Sequence, residues 1–170
     1  TIYGQDIYDK LMLPELLREL CKIEDVKWIR LLYCYPERVT DELIETIASE
    51  EKILNYIDLP LQHVSENILK KMNRTGNAKT ILELINKFRA KIPDIVLRTT
   101  FIVGFPSETE ENFEELCNFA NEVQFDRMGC FTYSPEENTK AALFENQISE
   151  EIKLKRQEIL MEQQNLILER

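Results

Sequence analysis

The sequence predicts an α/β protein built around a parallel sheet. Four short runs are rich in β-branched and aromatic residues, at 28–33, 53–59, 95–103 and 125–133. A helical pattern follows each of them, and strands that alternate with helices imply right-handed crossovers between parallel strands. With 170 residues, the chain is too short for a closed eight-stranded barrel, which takes about 250 residues. We therefore expect either an open doubly wound sheet or an arc of a barrel.

The first half of the chain opens on a helix that precedes the first strand. Pro14 suits the first turn of that helix, and apolar residues follow it at helical spacing. Thr40 is a candidate N-cap for the helix after the first strand. Ser65 opens a short helix after the second strand, and residues 73–77 (NRTGN) form the turn that ends it.

The second half continues the same alternation. Ile81, Ile85 and Phe88 mark the apolar side of a helix after the NRTGN turn. Thr109, followed by two glutamates, is a candidate N-cap for the helix after the third strand. Ser149 caps a long polar helix that has only a loose apolar stripe. We expect this last helix to project toward a part of the protein that this sequence does not contain.

The composition favours a cytoplasmic protein that does not bind nucleic acid tightly by itself. Asp and Glu number 31 against 21 Lys and Arg, and the formal net charge of −10 repels a polyanion. No apolar run approaches the roughly 18 residues of a membrane span, and the first residues do not resemble a signal peptide. The four cysteines lack CxxC or CxxxCxxC spacing, which predicts buried free thiols.

Candidate site residues follow the strands, because parallel α/β architectures place ligands at the carboxyl ends of strands. Gln62 and His63 end the second run, and His63 is the only histidine. A lone histidine there is more often a hydrogen-bonded structural residue than a ligand-binding one. Arg98 lies with Thr99 and Thr100 inside an apolar run. An unpaired guanidinium is costly to bury, so Arg98 either pairs with a carboxylate of the protein or binds an anionic ligand group.

Two further segments leave strand ends. In 103–109 (VGFPSET), Gly104 permits close backbone approach, and the following helix presents free N–H groups. The segment lacks the GK[ST] end of a P-loop, and a well-capped turn would look the same. In 131–139 (FTYSPEENT), Phe131 and Tyr133 end the fourth strand, where a flat ligand or an ordinary strand exit would both fit.

Taken together, these segments resemble the radical S-adenosylmethionine (SAM) methylthiotransferases. The similarity runs in chain order through YGQDIY, LPELLRELCKI, WIRLLYCYPERVTDELIETIA, LPLQHVSENILKKMNRTGN, LRTTFIVGFPSETEENFEEL and FDRMGCFTYSPEENTKAA. It covers essentially all 170 residues. The segments PLQHVS and YSPEENT depart from the PxQSGS and YSxRxGT of the tRNA-modifying branch. They resemble the branch that methylthiolates an aspartate side chain of ribosomal protein uS12.

The resemblance implies a partial (βα) TIM-barrel-like radical SAM core, with SAM and 4Fe–4S clusters as cofactors. It leaves the catalytic residues unassigned and implies a cofactor site at the strand ends. Ser107 and Asn138 stand where the family usually has glycine. Asn tolerates a left-handed backbone, whereas we expect Ser107 to keep a negative φ. The implied cofactor-binding residues are Gln62, His63, Arg98, Ile102, Gly104, Phe131 and Tyr133.

The family's CxxxCxxC cluster loop does not occur in this sequence. We interpret residues 1–148 as the part of the barrel that lacks the N-terminal cluster-binding strands. Residues 149–170 are interpreted as a helix leading toward a TRAM domain, the family's β-rich substrate-binding module. The full-length protein is expected to be an enzyme, and this chain alone is expected to be inactive. Two alternatives stay open: a tRNA adenosine methylthiotransferase of the same family and a non-catalytic α/β binding fragment.

Overall fold

A computed structural model describes residues 1–169 and shows four parallel strands in the order β1-β2-β3-β4. Neighbours along the chain are neighbours in the sheet, without the reversal of strand order that marks a doubly wound fold. The protein is therefore an arc of a barrel, and the predicted α/β class is confirmed. The strands are β1 (Ile29–Leu31), β2 (Ile53–Gln62), β3 (Val96–Val103) and β4 (Arg127–Thr132).

Seven α-helices are present within the described residues: α1 (Gln5–Tyr8), α2 (Leu13–Cys21), α3 (Asp41–Ser49), α4 (Glu66–Lys71), α5 (Ala78–Lys91), α6 (Glu110–Val123) and α7 (Glu150–Leu168). Thr40, Thr109 and Ser149 cap α3, α6 and α7 through their side chains, as predicted. Ser65 precedes α4 as predicted, but its hydroxyl contacts Glu115 instead of capping the helix. The short helix α1 was not predicted.

The core lies between the sheet and the helices that cover its outer side. Alternate strand residues such as Leu59, Leu97 and Phe101 are fully buried there against Ile85 and Phe88 of α5. Each such side chain contributes about 1.5–3 kcal/mol to stability. The other side of the sheet, here called the open face, carries polar and aromatic side chains. This one-sided burial positions the carboxyl ends of the strands around a concave surface.

Strand alternation corrects one prediction about β3. Arg98, Thr99 and Thr100 were expected to be buried together, but only Thr99 is fully buried, and its hydroxyl donates to the Leu59 carbonyl at 2.8 Å. Arg98 and Thr100 point to the open face because successive side chains of a strand face opposite sides. The arginine therefore does not bear the full desolvation cost that the sequence suggested.

Helix α7 packs against β3, β4 and α6, a packing that the sequence did not predict. Gln157 donates to the Cys130 carbonyl at 2.7 Å, and Gln164 donates to the Phe125 carbonyl at 2.9 Å. Its buried side chains are mainly polar, so apolar periodicity could not reveal the packed side. The division of the chain at residues 148 and 149 stays a prediction. No helix within residues 1–169 is both long and apolar enough to cross a membrane.

Candidate functional site

Two adjoining cavities lie on the open face at the carboxyl ends of the strands. Their volumes are about 500 Å³ and about 340 Å³. Tyr35, Gln62 and Arg74 line both of them, so the two form one continuous depression. Ile102 and Tyr133 belong to the larger cavity. The smaller cavity is also lined by Arg98, Thr100 and Phe131.

Gln62 lies between the two cavities in an unusual backbone conformation. Its φ is 69°, and the pairing of β2 with β3 is irregular between Leu59 and Gln62. A left-handed conformation is uncommon for glutamine, and such strain clusters at functional sites. The buried amide oxygen Oε1 has no hydrogen-bond partner within residues 1–169. The depression therefore offers an acceptor that a ligand hydroxyl or N–H group could satisfy.

Two aromatic side chains at the end of β4 give the depression an apolar wall. Phe131 is 62% exposed, so its ring is available to a flat ligand. Tyr133 packs edge-on against Phe105 with ring centroids 5.1 Å apart. Burial raises the pKa of the Tyr133 phenol, which stays a neutral hydrogen-bonding group.

Arg98 brings a positive charge to the smaller cavity. Its Nη1 lies 3.8 Å from Oδ2 of Asp58, which is buried and also accepts the Tyr33 N–H at 3.0 Å. The Arg98 side chain is 41% exposed, and no hydrogen bond within the described residues uses its guanidinium. Arg98 thus makes a long ion pair with the protein and keeps free donors that an anionic group could accept, so its role in ligand binding stays a prediction.

The loop after β3 corrects the prediction for Ser107. Its φ is +71°, whereas a negative value was expected, and Asn138 also has a positive φ of 66°. The Glu108 N–H donates to the Phe105 carbonyl at 2.9 Å, which closes a turn with Pro106 and Ser107 in the middle. Proline followed by a residue of positive φ is the pattern of a type II turn. The turn therefore imposes a positive φ on Ser107, although serine normally prefers a negative φ.

Glu108 stands at the centre of a buried polar network behind this loop. One carboxylate oxygen accepts the Gly104 N–H at 2.8 Å and lies 3.6 Å from Nε2 of His63. The other accepts from Nη1 of Arg156 at 2.7 Å, and Nη2 of Arg156 donates to Glu110 at 3.1 Å. The sequence placed Glu108 in a candidate segment without assigning it a role. It gave no sign of Arg156, because an arginine on a polar helix looks like solvated surface.

His63 is fully buried and belongs to this network. Its Nδ1 accepts the Ser65 N–H at 3.0 Å, so in the neutral imidazole the proton sits on Nε2 and points toward Glu108.

Five of the seven predicted cofactor-binding residues line the depression, while His63 and Gly104 lie behind it. The five are Gln62, Arg98, Ile102, Phe131 and Tyr133.

Tyr35 and Arg74 also line the depression, and the sequence did not mark them as cofactor-binding. Arg74 comes from the NRTGN turn, and its guanidinium lies 5.4 Å from the centre of the Tyr35 ring. It also donates to both carboxylate oxygens of Glu37 at 3.2 and 3.3 Å. The sequence shows Arg74 in a turn after an amphipathic helix. Nothing in the sequence indicates that Tyr35 and Glu37 would be its partners.

The cysteines do not fit an iron–sulfur cluster. Burial raises the pKa of Cys34 and Cys117 to about 11 and that of Cys130 to about 12. Cluster ligands are thiolates that converge on one volume. Within residues 1–169, no group of three His, Cys, Asp or Glu side chains could hold a metal ion. No step can therefore be assigned to a cluster held by these residues.

An arc of parallel strands with a polar and aromatic depression at the strand ends places the protein in the α/β-barrel class, in which ligand sites lie at that end of the strands. A family model described as the Radical SAM superfamily matches residues 1–120. The chain belongs to the Radical SAM superfamily. This match confirms the superfamily that the sequence motifs implied.

Curated relatives extend the similarity over nearly the whole chain. The "Ribosomal protein uS12 methylthiotransferase RimO" of Caldanaerobacter subterraneus subsp. tengcongensis is 60% identical over 167 residues, which are 98% of this chain and 38% of the relative. The protein of the same name from Clostridium kluyveri is 55% identical over 168 residues, again 98% of this chain and 38% of the relative. The chain thus spans 38% of the length of these relatives, and the resemblance to methylthiotransferases is confirmed.

A solved structure supports the fold. Coproporphyrinogen III oxidase (HemN) from Escherichia coli, described as a radical SAM enzyme, superimposes with a TM-score of 0.70. The match covers 91% of this chain and 36% of that protein, at 20% sequence identity. At this identity the likeness concerns the fold alone.

Proposed function

We propose that this chain is part of a cytoplasmic radical SAM methylthiotransferase that adds a methylthio group to an aspartate side chain of ribosomal protein uS12. The observation that carries the proposal is 60% identity over 98% of the chain to a protein named as a uS12 methylthiotransferase. The segments PLQHVS and YSPEENT favour this substrate over tRNA. So does the net charge of −10, which disfavours tight binding of a polyanion by this part of the protein.

The depression on the open face suits SAM. Gln62 offers an unpartnered buried oxygen for a hydroxyl group, and Phe131 offers an exposed ring for the adenine. Arg98 would hold the carboxylate of SAM through a charge-assisted hydrogen bond. When bound, SAM supplies the methyl group and the radical chemistry from which the superfamily takes its name. The chain's own residues would bind and orient the cofactor at the strand ends.

The cysteines of the described chain do not fit the 4Fe–4S clusters, so we assign their ligands to other parts of the full-length enzyme. The separate chain should therefore be inactive. The alternative, a non-catalytic binding fragment, also predicts an inactive chain. Only an activity assay of the full-length protein therefore distinguishes the methylthiotransferase from the binding fragment.

The test of the function uses the full-length enzyme with reconstituted clusters, SAM, a reductant and a sulfur source. Purified uS12 and bulk tRNA are supplied in parallel, and both are analysed by mass spectrometry. We expect a methylthio group on one aspartate of uS12 and none on tRNA. Modification of a tRNA adenosine instead would establish the sister activity, and modification of neither substrate would contradict the proposal.

Replacing Arg98 with lysine should weaken SAM binding by the full-length protein about tenfold, because lysine cannot reproduce the planar guanidinium. Isothermal titration calorimetry measures the change in Kd. Arg127→Lys is the matched control, since Arg127 pairs with Arg98 in the sheet register but lines neither cavity. Equal SAM affinity in Arg98→Lys and wild type would remove Arg98 from the cofactor site.

A further inference from the structure

The buried side of α7 is mainly polar, and its charged residues reach the back of the loop after β3. Lys153 and Arg156 are only 2% and 6% exposed. Both lie outside residues 1–120, the part that matches the family model. Two buried cations on one helix carry a large desolvation cost unless each has a specific partner. Arg156 pairs with Glu108 of the loop at 2.7 Å. The Lys153 ammonium pairs with Glu150 one turn earlier on the same helix, so Lys153 reaches the site through its aliphatic part and its contact with an aromatic ring.

Arg156 holds the loop through Glu108. Its Nη1 donates to the Glu108 carboxylate at 2.7 Å and lies 3.3 Å from the Glu108 carbonyl oxygen. The same carboxylate accepts the Gly104 N–H at 2.8 Å. The guanidinium also stacks 5.3 Å from the centre of the Phe113 ring in α6. The Glu108 carboxylate thus links Arg156 to the backbone N–H of Gly104, the residue that follows β3.

Lys153 touches both the loop and the wall of the depression. A Cβ atom placed on Gly104 would lie only 2.2 Å from Cγ of Lys153, so the aliphatic part of the lysine packs directly on the glycine backbone. Its ammonium lies 5.5 Å from the centre of the Tyr133 ring. Tyr133 lines the larger cavity. The lysine side chain therefore lies between the loop and the aromatic wall.

We propose that Lys153 and Arg156 are positioning residues for the cofactor site: through Glu108, Gly104 and Tyr133 they hold the adenosine side of the depression in its binding geometry. The inference rests on the proposed function, because it takes SAM as the ligand. Neither side chain contacts the cofactor in this role. A site held by a second layer of buried polar contacts binds its ligand more tightly than one left to move.

The experiment uses the full-length protein and two probes, SAM and 5′-methylthioadenosine, which lacks the amino-acid part of SAM. Arg156→Gln removes the charge, and Arg156→Lys keeps it but cannot reach all the acceptors. Gln164→Leu is the matched control, since it breaks a hydrogen bond of the same helix to the Phe125 carbonyl, away from the depression. Calorimetry gives the Kd values, and thermal unfolding gives the loss of stability of each variant.

We expect both Arg156 variants to raise the Kd of both probes, by about tenfold for Arg156→Gln and less for Arg156→Lys. Gln164→Leu should lower the Tm without changing either Kd by more than about twofold. Unchanged Kd values in the Arg156 variants would overturn the inference alone. The inference would also be overturned if the rise in Kd were proportional to the loss of Tm in all three variants. The helix would then have only a structural role. A wild-type protein that binds neither probe would instead overturn the proposed function together with the inference.

Discussion

Replacing Gly104 with alanine is expected to lower the free energy of unfolding by about 3 kcal/mol. Two effects add at this position. The φ of Gly104 is +71°, a backbone conformation that strains any residue with a Cβ atom. The new Cβ would also lie 2.2 Å from Cγ and 3.1 Å from Cβ of Lys153. Arg156 anchors the same helix to Glu108, so the helix cannot shift away from the new Cβ without disturbing that contact.

Gly129→Ala provides the matched control for this substitution. Gly129 lies in β4, and a Cβ atom there would meet only Oγ1 of Thr100 at 3.9 Å, an ordinary contact distance. Urea unfolding followed by circular dichroism measures both variants against the wild type. The control should stay within about 0.5 kcal/mol of the wild type. A Gly104→Ala variant as stable as the control would mean that the loop accommodates a side chain.

The strands and most helices were predictable because their apolar residues repeat with the periods of strands and helices. The predicted run 53–59 fell short of β2, which continues to Gln62 past Pro60. Proline normally ends pairing, but the irregular register between Leu59 and Gln62 lets the strand continue. The packing of helix α7 was not predictable, because it depends on hydrogen bonds from glutamine side chains, which leave no apolar stripe.

The candidate site was predictable where the fold alone places residues together. Carboxyl ends of parallel strands converge, so Gln62 and Tyr133 could be grouped from the sequence alone. Arg98 lies near the start of β3, and its place in the site came from the resemblance to the family. The network behind the depression could not. Glu108 and Arg156 are separated by 48 residues, and their pairing depends on where α7 crosses the sheet. His63 illustrates the same limit, because its position after a strand does not determine whether its ring faces the network or the depression.

The buried pair of Glu108 and Arg156 should show strong energetic coupling. Arg156→Gln alone is expected to cost about 3–5 kcal/mol, because it leaves the buried Glu108 carboxylate without its ion partner. Glu108→Gln should cost less, because Arg156 keeps its contact with Glu110 at 3.1 Å. Glu108 is 3% exposed, and Arg156 is 6% exposed. In the double variant neither charge remains, and the amide oxygen of the glutamine that replaces Glu108 can still accept the Gly104 N–H. The double variant should therefore be much more stable than the sum of the two single losses predicts.

Urea unfolding of the four proteins in this double-mutant cycle gives the coupling energy. The ion pair between Lys91 and Glu45 is the control, because its atoms are a similar 2.8 Å apart but both side chains are at least half exposed. Solvent screens such a pair, so Lys91→Gln and Glu45→Gln should be additive within error. If the losses for Glu108 and Arg156 were also additive, water would have to reach the pair. The loop after β3 would then be held by its own turn, and the link from α7 through Glu108 to Gly104 would carry little of the energy that orders the site.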